Sequence, residues 1–376
     1  MRIYYVANVR MPTDKAHGIQ LAKMSEALIE AGAVVTLVVP HRGQGDAQSF
    51  YKLRRPIPVI RIPTLNLGNS RLGFNLSALS FAAFSFLFLF FHRLEKDAVI
   101  YTIDLDQFSF FLLPLLSRPL FVEVHGTKKK SIFADFFFKR IYGVIAVSEG
   151  VKQSLIKIFN LLPGRIIVCP NSIDLEMYKD LPNQLEARQI LGIPPTSTIF
   201  LYVGRFYGWK GLAVLPEATV SVKNKAFVYL VGGGRDDFLR VVSNQFIPPN
   251  MVFVGVKPFS EIPIWLTAAD FLLITGTKKD EYSFHETSPM KLFEYLAVGR
   301  PIISADTPAL RTIVSETEVL FYEPDNAVDL ARTMNLVLNN ATDFREKTEK
   351  ILVKAKKYSW RRRAETILNF IHNFRS

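Results

Sequence analysis

Glu286 and Glu294 stand eight residues apart around Thr287-Ser288-Pro289-Met290-Lys291. Such a set can hold an anion and hydroxyl groups at the same time. Ser288 suits a helix N-cap and Pro289 the first helical position. Gly299 suits the left-handed stop, with Arg300 beside the negative end. A helix starting here offers free backbone N–H groups over Ser288–Lys291 and a positive partial charge, which together can hold a phosphate. Flanking carboxylates make little sense for phosphate alone. They make sense if the ligand also carries hydroxyls, which carboxylates accept. The ligand class suggested is a sugar nucleotide. Two glutamates at this spacing also occur on solvated helix faces, so the neighbours must decide.

A second cationic stretch is Gly204-Arg205-Phe-Tyr-Gly208-Trp-Lys210-Gly211, just after the apolar run Ile199–Val203. Three glycines and two cations can wrap a diphosphate, Arg205 as a fork and Lys210 as a point charge. A surface turn with incidental charge has the same composition. His125, in Glu123-Val-His125-Gly126, closes a strand-like run at its carboxyl end, where ligands gather in open α/β sheets. Asp104-Leu-Asp106 has the form of a metal–diphosphate ligand pair, but no further ligands converge on it and a polar loop is the preferred reading. No metal site is expected.

The elements that must position these residues alternate. Ile3–Ala7, Val34–Val39, Ala98–Thr102, Leu120–Val124, Gly143–Val147 and Arg165–Cys169 read as buried strands. Helix-periodic stretches lie between several of them, the first being Ile19–Ala31 after a loop Asn8–Gly18. After Asn171 the rhythm restarts with Ile199–Val203, Phe227–Val231, Val252–Gly255 and Phe271–Thr275. A helix over Glu261–Ala269, capped by Ser260, precedes the last of these. The fold class expected is α/β, two doubly wound Rossmann-like domains. The first covers residues 1–171 and is joined by a C-terminal helix over 359–376; the second covers 172–358. No G-x-G-x-x-G follows the first strand, which disfavours a dinucleotide oxidoreductase. His41–Ile62 reads as basic and irregular, and Arg361-Arg-Arg363 as a solvated or lipid-facing stripe.

The chain of 376 residues is 49% hydrophobic and 21% charged, which excludes a disordered protein. Its single cysteine, Cys169, excludes an internal disulfide framework and fits a small core residue in a reducing cytosol. A strand pattern from Arg2 leaves no secretory signal ahead of it. Residues 1–172 hold 21 Lys+Arg against 11 Asp+Glu, a balance of +10, while the rest hold 25 against 23, a balance of +2. A basic first half points to an anionic partner. No nucleic-acid motif accompanies it, so the expectation is a cytoplasmic protein that can lie on the inner face of an anionic membrane. Phe74–Phe91 reads as a buried or membrane-lying helix rather than a span.

Glu286 to Glu294 with Gly299-Arg-Pro301, preceded by Gly204-Arg205 and Lys210-Gly211, resembles the family 4 glycosyltransferases of the GT-B type. Glu123-Val-His-Gly126, Val147-Ser148, Pro170-Asn-Ser-Ile-Asp174, Ala269-Asp270 and Ser359-Trp360 extend the resemblance over about residues 2–370. It implies two Rossmann-like domains facing across a cleft, and a retaining, metal-independent hexosyltransferase that needs no cofactor beyond its nucleoside-diphosphate sugar. By the same resemblance Arg205 and Lys210 neutralise the diphosphate and Glu294 holds the ribose. Glu286 holds the donor sugar, and Thr287, Ser288, Pro289, Met290 and Lys291 line the phosphate. His125 lies beside the sugar, while Gly18 and Gly204 allow close backbone approach. The acceptor expected is a sugar or lipid-linked hydroxyl in cell-surface polysaccharide or glycolipid synthesis. The alternatives are a sugar-nucleotide epimerase of the same architecture and a non-catalytic partner subunit.

Overall fold

The computed structural model describes residues 1–374 apart from 44, 69, 93, 105, 107, 223–225, 243–245 and 340–343. The chain forms two compact units, one of Met1–Pro170 with Trp360–Ser376, the other of Asn171–Ser359.

The first unit is built on strands β1 (Arg2–Val6), β2 (Val34–Pro40), β3 (Val59–Ile62), β4 (Ala98–Asp104), β5 (Leu120–Val124), β6 (Gly143–Ala146) and β7 (Ile166–Val168). They make one sheet in the order β3-β2-β1-β4-β5-β6-β7, every pair parallel. Helices cover such a sheet on both faces, so β1 and β5 are apolar almost without alternation and nearly every residue in them is buried. Strand β3 lies within the stretch read as irregular. It is a four-residue edge strand that carries Arg61 and follows Pro56 and Pro58, so its composition hides it.

The second unit contains β8 (Thr198–Val203), β9 (Ala226–Val231), β10 (Met251–Gly255), β11 (Phe271–Ile274), β12 (Ile302–Ala305) and β13 (Leu320–Tyr322), ordered β10-β9-β8-β11-β12-β13 and again parallel. Strand β13 is three residues long, too short to announce itself by pattern. In each sheet the strand order reverses once, between β1 and β4 and between β8 and β11. The crevice outside the carboxyl ends at such a switch point is where doubly wound sheets take ligands.

Several helix boundaries depart from expectation. The first helix is Ala16–Glu30, so Gly18 lies in its first turn and not in a loop. The apolar helix is Arg71–Phe91, and Ser70 caps it by accepting from the Gly73 N–H. Ser260 does not cap its helix; a 3-10 turn over Phe259–Glu261 leads into Ile262–Ala268. The tail is two helices, Arg345–Ala355 and Trp360–Asn373, because Ser359 is extended between them.

Candidate active site

The donor-side residues converge on the carboxyl ends of β8 and β11. Glycines let the loops there pack backbone on backbone. Gly204 ends β8 at φ +134, a conformation that a side chain strains, and its N–H bonds the Val231 carbonyl at 2.8 Å. A Cβ on Gly232, at the end of β9, would lie 2.3 Å from the Gly204 carbonyl oxygen. A Cβ on Gly211 would lie 2.3 Å from the carbonyl oxygen of Gly276, which follows β11. Gly232 reads in the sequence only as the start of an uninformative Gly232-Gly-Gly234 run, and Gly276 was not picked out. The signal available was a glycine at the end of each of three adjacent strands.

Lys210 closes a 3-10 turn over Gly208–Lys210 and donates from Nζ to the Arg205 carbonyl at 2.9 Å. Its ammonium lies 5.1 and 5.3 Å from the ring centres of Tyr207 and Trp209. Burial lowers it to about 8. The Arg205 side chain is exposed on the same loop. Trp209 packs edge-on against Tyr282 at 5.1 Å and so ties this loop to a π-helical turn over Tyr282–Glu286. Glu286 ends that turn and is 2% exposed.

The central helix runs from Met290 to Val298 with Gly299 at φ +68 as its stop. Its start differs from expectation: Pro289 is the N-cap, and no side chain caps the helix. Ser288 is taken by Asn171, whose backbone N–H donates to Ser288 Oγ at 3.0 Å and whose Nδ2 donates to the Ser288 carbonyl at 2.6 Å. The Thr287 N–H goes to the Tyr282 carbonyl at 2.9 Å. Proline has no N–H. Neither Asn171 bond uses the Ser288 N–H, so the backbone donors available to an anion are those of Ser288, Met290 and Lys291.

Lys291 and Glu294 share this helix. Burial raises Glu294 to about 7, with Lys291 acting against the shift. The folded value lies above the ordinary one of roughly 4.3. Stability linked to the protonated form is therefore full below about pH 4 and lost as pH rises through about 7. Glu294→Gln, uncharged at every pH, is expected to stabilise this unit by about 1–2 kcal/mol at pH 8 and by much less at pH 5. Thermal unfolding at the two pH values measures it, and an equal change at both would refute the assignment.

The first unit has its own buried polar cluster. Glu123 in β5 is completely buried. It accepts from Gln20 Nε2 (2.7 Å), the Tyr101 hydroxyl (2.6 Å), His125 Nε2 (2.8 Å) and both terminal nitrogens of Arg363 (2.8 and 3.1 Å). Burial alone would raise this carboxyl, but Arg363 and then His125 outweigh it and hold it well below the carboxylate range. An ionised carboxylate only accepts, so His125 Nε2 carries a hydrogen toward Glu123. Arg363 is 3% exposed, which overturns its reading as part of a solvated stripe. Trp360, Arg363, Ala364, Ile367, Phe370 and Ile371 form one buried helix face, and that spacing was the signal that placed it inside. Gly18 is also tightly seated: a Cβ there would meet Thr13 Cγ2 at 2.3 Å and the Tyr51 hydroxyl at 2.7 Å. Asp106 accepts from the N–H groups of Phe108 and Ser109, each at 2.8 Å, and so stabilises its own turn. Leu105 and the Asp104 side chain lie outside the described residues.

With this geometry in place, kinship can be read. Residues 18–177 match the model of Glycosyltransferase Family 4, and residues 183–357 that of the group 1 glycosyl transferases. The two matches together take in most of both units, and the chain belongs to the family 4 glycosyltransferases. It is 24% identical over 358 residues to 2-deoxystreptamine glucosyltransferase of Streptomyces kanamyceticus, covering 86% of this chain and 89% of that one. It is 28% identical over 189 residues to alpha-monoglucosyldiacylglycerol synthase of Streptococcus pneumoniae, where the match spans 48% of this chain and only 41% of the relative. Among solved structures, Anabaena HepE in complex with UDP and glucose superposes with a TM-score of 0.77 at 18% identity, over 99% of this chain and 100% of that one. Sucrose-phosphate synthase from Thermosynechococcus elongatus also gives 0.77, at 16% identity, over 99% of each chain. The fold is GT-B, built from two Rossmann-like units.

Proposed function

We propose that this glycosyltransferase moves a hexosyl group from a nucleoside-diphosphate sugar to an acceptor hydroxyl, with retained anomeric configuration and no metal ion. The observation that carries the reading is the gathering of Arg205, Lys210 and Glu294 at the switch point of the second sheet, beside a helix start that no side chain caps. Lys210, Arg205 and the helix N-terminus stabilise charge that develops on the departing diphosphate. Glu294 accepts from the ribose and Glu286 from the sugar hydroxyls. Ser288 and Thr287 hold the turn in shape. No carboxylate presents itself as a nucleophile, so attack is from the front. The bond from the anomeric carbon to the phosphate oxygen breaks as the bond to the acceptor oxygen forms, and the acceptor proton passes to a diphosphate oxygen. The products are the glycoside and a nucleoside diphosphate.

A panel of nucleotide sugars tested by thermal shift, then by donor consumption with and without acceptor, examines the reading. Solved neighbours in complex with UDP or UDP-glucose make uridine donors the first to try. An inverted product excludes the mechanism. Donor conversion without acceptor favours the epimerase, and failure to bind any donor favours the non-catalytic subunit.

The acceptor proposed is membrane-presented. The Arg71–Phe91 helix is long and apolar enough to cross a bilayer, and only 33% of its most apolar window is buried. Phe84, Leu87, Phe88 and Phe91 line an open depression with Ile60, Arg61 and Ile62. The basic balance of this half suits an anionic lipid surface. Co-sedimentation with anionic vesicles is expected and should drop severalfold for Phe90→Ser/Phe91→Ser. Equal binding by that variant, or by neutral vesicles, argues against contact through this face.

A further inference from the structure

One lysine of the donor-side unit has a buried side-chain nitrogen without a hydrogen-bond partner among the described residues. We infer that the Lys291 side chain, and not only its backbone N–H, is a further diphosphate contact, its nitrogen completed by a phosphate oxygen of the donor. The inference rests on the donor-site reading above and adds a third side-chain cation to it.

The Lys291 Nζ is buried and has no hydrogen-bond partner among the described residues. It lies 3.7 Å from the ring centre of Tyr202 in β8, a contact that tempers the charge without supplying an acceptor. A desolvated ammonium with no acceptor is unfavourable in a folded protein. Three groups face it: the Tyr202 ring from β8, Lys210 from the loop after β8, and Glu294 on its own helix. Lys210 repels it. Glu294 attracts it but makes no hydrogen bond to it, which leaves that carboxyl for another partner. Lys210 is in reach of the same spot, since a Cβ on Gly204 would lie 3.3 Å from its Nζ. Two cations thus approach one another, with no carboxylate bonded to either among the described residues, at the switch point and at the positive end of a nine-residue helix. A diphosphate relieves all three features at once: it accepts from Nζ, screens the Lys210 repulsion and meets the helix N–H groups.

The ionisation of Lys291 follows from the same surroundings. Burial, and then Lys210, hold its ammonium well below the ordinary lysine value, with Glu294 acting against them. A phosphate oxygen at Nζ favours the charged form. Binding at alkaline pH therefore draws in a proton, and affinity falls as pH rises.

The test is isothermal titration of wild type and Lys291→Met with UDP, GDP and ADP, each beside its own nucleoside, at pH 7 and pH 9. Wild type is expected to prefer one nucleoside diphosphate. The variant is expected to bind that diphosphate about tenfold or more weakly and its nucleoside equally well, with a smaller loss between pH 7 and pH 9 than wild type. Lys291→Gln carries the same comparison should the methionine variant not fold. Equal diphosphate affinity in wild type and variant overturns the inference and leaves the donor reading standing. So does an equal loss for nucleoside and diphosphate, which marks a structural lysine. A wild type that binds none of the three diphosphates overturns the donor reading and the inference with it.

Discussion

Arg363→Leu is expected to destabilise the first unit by about 3–5 kcal/mol, because it strands the Glu123 carboxylate in the interior. Arg363 supplies two of the bonds that Glu123 accepts, at 2.8 and 3.1 Å, and both side chains are almost wholly buried. The remaining partners are Gln20, Tyr101 and His125, of which only His125 can bring a charge. The pH dependence separates a stranded charge from a simple cavity. In the native chain the folded carboxyl lies below its unfolded value of roughly 4.3. Its contribution is therefore full above that pH and lost as pH falls through the lowered value. In the variant, burial is opposed only by His125 and by the neutral donors Gln20 and Tyr101, so the carboxyl rises and protonation relieves it. The gap between variant and wild type should narrow from pH 7.5 to pH 4.5. Adding Glu123→Gln should recover part of the loss. Trp360 is the only tryptophan of the first unit, so urea unfolding followed by its fluorescence, in a background lacking Trp209 and Trp265, reports on this unit. A gap below 1 kcal/mol, or one unchanged with pH, would show that the pair does not hold β5 and His125 in place.

Arg205→Ala should lower kcat about a hundredfold, or roughly 3 kcal/mol of transition-state stabilisation. Its side chain is exposed, so thermal unfolding without added ligand should change little. The contribution appears when the diphosphate leaves, because a guanidinium fork grips two phosphate oxygens as their charge grows. A contact made mainly in the transition state lowers kcat and kcat/KM together. Arg205→Lys, which keeps the charge and loses the fork, should fall between wild type and alanine. An unchanged kcat in the alanine variant removes Arg205 from the chemistry, and a change confined to KM makes it a ground-state contact.

Two doubly wound sheets were legible because buried parallel strands are nearly continuous apolar runs, and because glycines and polar loops punctuate them. The positions of Arg205, Lys210, Glu286 and Glu294 were legible for a related reason. Arg205, Lys210 and Glu286 sit in loops or short turns after a strand's carboxyl end and Glu294 in the second turn of the helix that follows, and connectivity alone delivers those points to one edge of the sheet. Strands β3 and β13 were missed because each is very short and lies toward the edge of its sheet, so burial leaves little pattern.

What residue order determined, then, is which groups reach the edge of each sheet. How each group is occupied once there was decided by tertiary packing. Ser288 reads as a helix cap, yet Asn171, 117 positions away, claims it. Arg363 reads as a surface cation, yet a buried carboxylate 240 positions away draws it inside. Lys291 reads as a backbone donor, yet Tyr202 and Lys210 enclose its ammonium and leave it without an acceptor. Periodicity records the environment that a residue shares with its chain neighbours. Hydrogen bonds and charge pairs over such separations exist only after the sheet has brought distant segments together, and no local pattern encodes them.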